Sequence, residues 1–393
     1  MGSVTSLTCV VCSAHYIERP GLYTCPSCGD LATLKVSYDY EAVRKVMTRR
    51  TLDAKPLVDL WRYLPLLPIR EVGDLMPLRV GGTPLYNAPG LRAKLGFPDL
   101  WVKDDTINPS SSLKDRASAV TLLKGLEMGY TEVAVASTGN AAASLACISA
   151  SMGVRCHVFV PAAAPKTKLA QLAIYGADVI TVQGSYDEAF KLCIEACEEH
   201  TWYNRNTGYN PYTVEGKKTV SMEIVEQLRW GTPDTVIVPV GDGCILSGVW
   251  KGFIDLYRLG FIDQLPRLIA AQADGSQAIK RAFDGDGVIR SVEVDTIADS
   301  LAVSMPRNGT MAVQDLRASN GMAVAVSDDE ILEAMKLLGQ TTGIFGEPAG
   351  VVSLAALLRL HAENNISTKE RVVLMVTGTG LKDVDSALKG FST

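Results

Sequence analysis

From about residue 100 the chain alternates short apolar or β-branched runs with stretches of helical pattern. The runs are LWVKDD (100–105), EVAVAST (132–138), CHVFVP (156–161), DVITVQ (178–183), TWYNRN (201–206), TVIVPV (235–240), RLIAAQA (267–273) and RVVLMVTG (371–378). Strands that alternate with helices build parallel sheets, because each return to the same edge needs a crossover, so an α/β architecture is expected. Ahead of it, DYEAVRKVM (39–47) reads as an amphipathic helix and the proline-rich LPLLPIREVGDLMP (64–77) as an extended connector. There is no internal repeat and no low-complexity segment.

In open parallel sheets ligands sit beyond the carboxyl ends of the strands. Three such ends are unusual here: Ser137-Thr138-Gly139-Asn140, Gly241-Asp242-Gly243-Cys244 and Thr377-Gly378-Thr379-Gly380. A fourth, after LWVKDD, leads into NPSSSLKDR with Lys114. A lysine followed by Asp and Arg commonly belongs to a solvated helix face. The turn at Gly241 joins a strand to a helix and aims backbone N–H groups at an anion, typically a phosphate. It is an incomplete dinucleotide fingerprint, with Leu246 where the third glycine would stand and Gly248 beyond it. A turn that only packs is the plain alternative. Ser137 and Thr138 offer hydroxyls and free amides to a carboxylate, and Asn140 a side-chain amide; here the plain alternative is a helix cap followed by close-packed alanines. One cofactor would use all four ends. Pyridoxal phosphate has a phosphate for the glycine turn, a ring hydroxyl for Asn140, a pyridine nitrogen for Thr377 and an aldehyde with which Lys114 can form a Schiff base.

Composition narrows the class. The chain has 393 residues, 47% of them hydrophobic, and a formal charge of −5, enough for a sizeable core and without the basic footprint of a nucleic-acid binder. No apolar run reaches the roughly 18 residues of a membrane span, and the first residues lack a secretory signal, so a cytoplasmic protein is expected. Met1 to Ser6 fits a myristoylation pattern too short to weigh. Of nine cysteines, four form the pairs Cys9/Cys12 and Cys25/Cys28 with residues 13–24 between them. Paired Cys-x-x-Cys knuckles give a tetrahedral zinc its four thiolates. Disulfides are the alternative, disfavoured in a reducing compartment. A site made of four thiolates is closed to substrate, so the zinc is expected to be structural, holding a small ribbon.

Seven blocks in one order carry a family resemblance: GGTPLY (81–86), LWVKDDTINPSSSLKDRAS (100–118), ASTGNAAASLA (136–146), NPYTVEGKKT (210–219), VPVGDGCILSG (238–248), GEPAG (346–350) and VTGTGLKD (376–383). The chain resembles, nearly end to end, the threonine synthase family of fold-type II pyridoxal-phosphate enzymes, in the zinc-ribbon-bearing branch that also includes cysteate synthase. The resemblance implies two parallel-sheet α/β domains of the tryptophan synthase β type behind an N-terminal zinc ribbon. The boundaries expected are a ribbon over 1–37, an extension and first part of the large domain over 38–116, a small mobile domain over 117–208 and a large cofactor-binding domain over 209–393. It implies a lyase and a homodimer. Lys114 is then the catalytic lysine that carries the cofactor, Asn140 bonds the ring oxygen, residues Gly241, Asp242, Gly243, Cys244 and Ile245 hold the phosphate, and Thr377 faces the pyridine nitrogen. Ser137 and Thr138 hold the substrate carboxylate, with further substrate contacts expected at Ser112, Gly139, Lys166 and Asn210. Glu347 belongs either behind the cofactor or to a surface loop.

Three positions depart from the family pattern. Ser110-Ser111-Ser112-Leu113 replaces the usual TGSF before the lysine, Thr379 stands where His or Asn is usual, and Thr213 stands where the branch usually has arginine. A guanidinium is the natural clamp for a substrate phosphate, so Lys166, Lys168, Lys217 or Lys218 is expected to supply the charge instead. The reading is conversion of O-phosphohomoserine and water to threonine and phosphate. The alternatives are β-replacement or β-elimination on an activated serine such as O-phosphoserine, a catalytically silent regulatory homologue, and a nicotinamide dehydrogenase.

Overall fold

The computed structural model describes residues 4–73, 76–164 and 166–390, with the side chains of 166–168 outside the description. The chain divides into two compact units, Met1–Gly82 with Asn108–Thr219, and Thr83–Ile107 with Val220–Thr393.

The first unit opens with an antiparallel ribbon. Its strands stand in the order His15–Tyr16, Val4–Cys9, Gly29–Tyr38, Thr24–Cys25, with Leu7 opposite Val36 and Cys9 opposite Leu34. Strand Gly29–Tyr38 turns Leu34, Val36 and Tyr38 inward and leaves Lys35 and Ser37 partly exposed, the period-two pattern of a sheet with one wet face. A helix follows at Tyr40–Val46, its first turn capped by Asp39, as the amphipathic pattern predicts. The expected extended connector differs at its start, because Leu60–Leu66 is a 3₁₀ helix. Asp59 accepts the Trp61 N–H, and Leu60, Tyr63 and Leu66 recur at the three-residue repeat that puts side chains on one buried face. Asp74 and Leu75 lie outside the described residues.

The same unit carries a four-stranded, wholly parallel sheet in the order Tyr203–Asn204, Glu132–Ala136, Arg155–Pro161, Asp178–Val182. Helix Tyr186–His200, started by a reciprocal Ser185 and Glu188 capping box, presses Phe190, Cys193 and Cys197 onto Ala134, Ala136 and Phe159. Helix Lys114–Glu127 is buried at every residue from Asp115 to Gly125. The Lys-Asp-Arg sequence is therefore no solvated face. Asp115 turns back to accept the N–H of Ser110 at 2.6 Å and its hydroxyl, and the fully buried Arg116 donates to Thr219 at 3.0 Å.

The second unit is a six-stranded sheet in the order Met322–Val326, Arg267–Ala273, Thr235–Pro239, Val372–Val376, Leu100–Asp104, Leu85–Tyr86. All neighbours are parallel except the last pair. Strand Thr235–Pro239 is buried at every position, and helix Pro348–Ala362 packs its aliphatic side chains into the same core. Parallel strands covered on both faces show continuous apolar runs, which is why they stand out in the sequence.

Candidate active site and metal centre

In the first unit Lys114 is the first residue of its helix and is half-buried. Ser111 enters the turn before it with φ 62°, a left-handed conformation. Ser112 is fully buried and its hydroxyl has no hydrogen-bond partner among the described residues. A buried hydroxyl costs free energy unless it is bonded, so an unclaimed one two residues before Lys114 fits a polar group yet to arrive.

Asn140 begins the neighbouring helix, Asn140–Met152, which lacks any side-chain cap. The plain reading of Ser137 or Thr138 as helix cap therefore does not hold. The cap residue is Gly139, and the Ser137 hydroxyl accepts the Gly139 N–H at 3.2 Å while Ser137, Thr138 and Gly139 stay partly exposed. Hydroxyls and first-turn amides at an uncapped helix start suit a carboxylate. A hydrogen bond of 2.7 Å between Ser118 and Ser144 ties this helix to the lysine helix.

The segment after strand Tyr203–Asn204 carries Thr213, at the position where arginine was expected. Thr213 is fully buried and donates to the Asn210 carbonyl at 2.8 Å, while the Asn210 amide donates to the Asn204 carbonyl and accepts from the Tyr212 N–H. Both residues brace the turn. Lys217 and Lys218 are buried completely, and Lys218 pairs with Glu215 at 2.5 Å above the Tyr38 ring, so it is held in the interior and not offered to a ligand. The side chains of Lys166 and Lys168 lie outside the described residues. What the sequence reading missed is Arg205. It is wholly buried, donates to the Thr207 hydroxyl at 2.7 Å and Ser118 at 3.2 Å, and reaches the Lys114 carbonyl at 3.5 Å. The only signal was a cation inside TWYNRN, a run otherwise read as strand.

In the second unit the turn Gly241 to Gly243 links strand Thr235–Pro239 to helix Cys244–Arg258. Gly243 is the cap residue at φ 92°, and no side chain caps the helix. A Cβ on Gly241 would lie 2.9 Å from the Leu301 Cα, and one on Gly243 2.8 Å from the Ala312 Cβ, so packing alone explains both glycines. The uncapped helix start is what fits a phosphate. Asp242 is spent on the neighbouring loop, accepting the Arg307 N–H at 2.6 Å. Thr377 is buried at the end of strand Val372–Val376. Glu347 is buried too, and its carboxylate would meet a Cβ on Gly378 at 2.5 Å, which places it behind the Thr377 turn and not on a surface loop. Thr379 caps the short helix Gly380–Lys382 by accepting the Leu381 N–H.

The Cys9, Cys12, Cys25 and Cys28 sulfurs lie within 4.8 Å of one another, Cys9 and Cys25 buried and the other two exposed. The Cys12 and Cys25 sulfurs are 3.8 Å apart, about the edge of a tetrahedron with 2.3 Å zinc–sulfur bonds. The Val11 and Cys12 N–H groups donate to the Cys9 sulfur. The Tyr16 hydroxyl, 3.1 Å from the Cys25 sulfur, helps hold that thiol down to about 6, and the shared hydrogen bond with Cys12 helps push Cys28 up to about 12. None of the nine cysteines is in a disulfide. The donor set fits zinc, which would be held by these four sulfurs.

Residues 76–378 match the family model described as pyridoxal-phosphate dependent enzyme. Among solved structures, maize serine racemase superposes with a TM-score of 0.68 at 25% identity, covering 79% of this chain and 91% of that one. Tomato threonine deaminase isoform 2 gives 0.69 at 22%, covering 86% and 95%. These define the class, the fold-type II pyridoxal-phosphate enzymes, with two parallel sheets and here an antiparallel ribbon in front. Curated relatives narrow it. Threonine synthase of Methanocaldococcus jannaschii is 40% identical over 384 residues, 97% of this chain and 94% of that protein. The Methanosarcina acetivorans threonine synthase is 36% identical over 97% and 93%, and that of Mycobacterium tuberculosis 35% over 83% and 89%. The chain belongs to the threonine synthase family of pyridoxal-phosphate-dependent enzymes. Among the described residues no helix is long and apolar enough to cross a membrane.

Proposed function

We propose that the chain is a threonine synthase, a lyase that converts O-phosphohomoserine and water to threonine and phosphate. The observation that carries this is identity of 40% along nearly the whole length of both chains with a protein of that name. When bound, pyridoxal phosphate supplies an electron sink that makes the carbon-bound protons of an amino acid removable. Lys114 is the residue assigned to hold it, and its amine would take and return protons on the substrate carbons. Asn140 is assigned to the ring oxygen and Thr377 to the pyridine nitrogen, where a neutral hydroxyl leaves the ring a weaker sink than an acid would. The uncapped start of helix Cys244–Arg258 is assigned to the cofactor phosphate, and Ser137, Thr138 and Gly139 to the substrate carboxylate, with Ser112 donating its unclaimed hydroxyl. For the substrate phosphate, Arg205 polarises the Thr207 hydroxyl it bonds, which restores positive character to a segment that lacks arginine at 213. We place the enzyme in the cytoplasm as a homodimer, on the family resemblance; light scattering of the purified protein checks the second.

The test is phosphate release from O-phosphohomoserine and O-phosphoserine side by side, with products identified. Threonine and phosphate in equal amounts from the first substrate is the expected result. Release from O-phosphoserine alone, with a sulfonate product when sulfite is added, would move the assignment to β-replacement.

A further inference from the structure

The metal ribbon reaches the substrate side of the first unit through three side chains. Glu18 accepts from Lys124 at 2.9 Å and from the Tyr212 hydroxyl at 3.2 Å. The Tyr23 hydroxyl accepts the Asn204 N–H at 3.1 Å, and its ring lies 5.9 Å from Tyr203 and 5.3 Å from Tyr209. Tyr38 donates to Glu215 at 2.6 Å, and its ring lies 4.0 Å beneath the Lys218 ammonium. All three touch one continuous stretch, Asn204 to Lys218, or the lysine helix it packs on.

That stretch is pressed against the lysine helix with no slack. A Cβ on Gly216 would sit 2.1 Å from the Arg116 carbonyl oxygen, and beside the stretch one on Gly125 would sit 2.7 Å from the ring of Tyr203, the residue before it. Arg205 joins it to the Lys114 carbonyl. The cysteine knuckles in turn hold the contact residues. Glu18 and Tyr23 lie in the loop between Cys12 and Cys25, and Tyr38 ends the strand that starts beside Cys28. A loop with both ends tied to one metal loses its conformational freedom, and regains it when the metal leaves.

We propose that the ribbon is a metal-dependent brace for the substrate-binding segment, in which Glu18, Tyr23 and Tyr38 are positioning residues that fix Asn204 to Lys218 beside Lys114. The assignment of that segment to substrate rests on the threonine synthase reading; the mechanical coupling does not.

The experiment compares amide hydrogen exchange of the cofactor-loaded protein with and without its metal, removed by a chelator, alongside Tyr38→Phe and Glu18→Gln with metal retained. Exchange is expected to rise in 204–218 as well as in 4–38 when the metal is removed, and in 204–218 in both variants. The visible absorbance of bound cofactor is expected to persist. With O-phosphohomoserine, KM rises about tenfold in Tyr38→Phe, as for a lost hydrogen bond to a charged group, while kcat stays within about twofold. Exchange that rises only within the ribbon, with both variants matching the unaltered protein in 204–218, overturns the brace. Absence of turnover on this substrate counts against the functional reading, and the exchange result still decides the coupling.

Discussion

In the ribbon the buried aliphatic side chains of the strands are Leu7, Ala32, Leu34 and Val36, whereas in the six-stranded sheet the single strand Thr235–Pro239 is buried at all five positions and its neighbours continue the core on both sides. Hydrophobic stabilisation scales with the apolar area removed from water, so the sheet can hold itself and the ribbon cannot. The ribbon carries instead four sulfurs placed to hold one metal. The difference teaches that one chain can fold by two mechanisms, each with its own way of failing.

The largest expected effect separates the two directly. Replacing Cys9 and Cys12 together by Ser removes half the donor set, and since structural zinc contributes on the order of 10–16 kcal/mol to such domains, the ribbon unfolds. Elemental analysis should fall from one zinc per chain to none while far-ultraviolet circular dichroism keeps its helical signal. Lys114→Ala makes the opposite cut. It should leave zinc and thermal stability near normal, abolish the visible absorbance of the bound cofactor and lower turnover by roughly thousandfold or more, because no other amine starts that helix. Leu374→Ala, in the middle of a fully buried strand, leaves a cavity that costs about 2–5 kcal/mol. Denaturant titration should show that loss whether or not the metal is present. Ser185→Ala removes one half of a capping box and should cost only about 1 kcal/mol, again independent of metal.

Much of the fold was legible because parallel strands covered on both faces advertise themselves as apolar runs, and RLIAAQA coincides with strand Arg267–Ala273 residue for residue. Strand Met322–Val326 escaped notice because a lone five-residue apolar run cannot be told from a buried helix segment by period alone, and Leu85–Tyr86 is too short to have a period. The four cysteines were legible because ligand spacing is local. Partnerships between distant residues were not. Tyr38 with Glu215, Lys103 with Glu223 and Arg116 with Thr219 are each separated by more than a hundred positions, and nothing in the local sequence says which buried polar group meets which partner. Lys217 and Lys218 were named as candidate phosphate ligands because they are cations close in sequence to Thr213, and nothing in the local sequence said that both would be fully buried.

The four metal ligands divide evenly between a dry side, Cys9 and Cys25, and a wet side, Cys12 and Cys28. Exchange of the metal therefore has a direction. A competing chelator or an oxidant would meet Cys12 and Cys28 first, and a bound ion would lose these exposed thiolates before the buried pair. Until the buried pair lets go, the same ion could be bound again by the two outer sulfurs, so solvent access to Cys12 and Cys28 would weigh on the lifetime of the site.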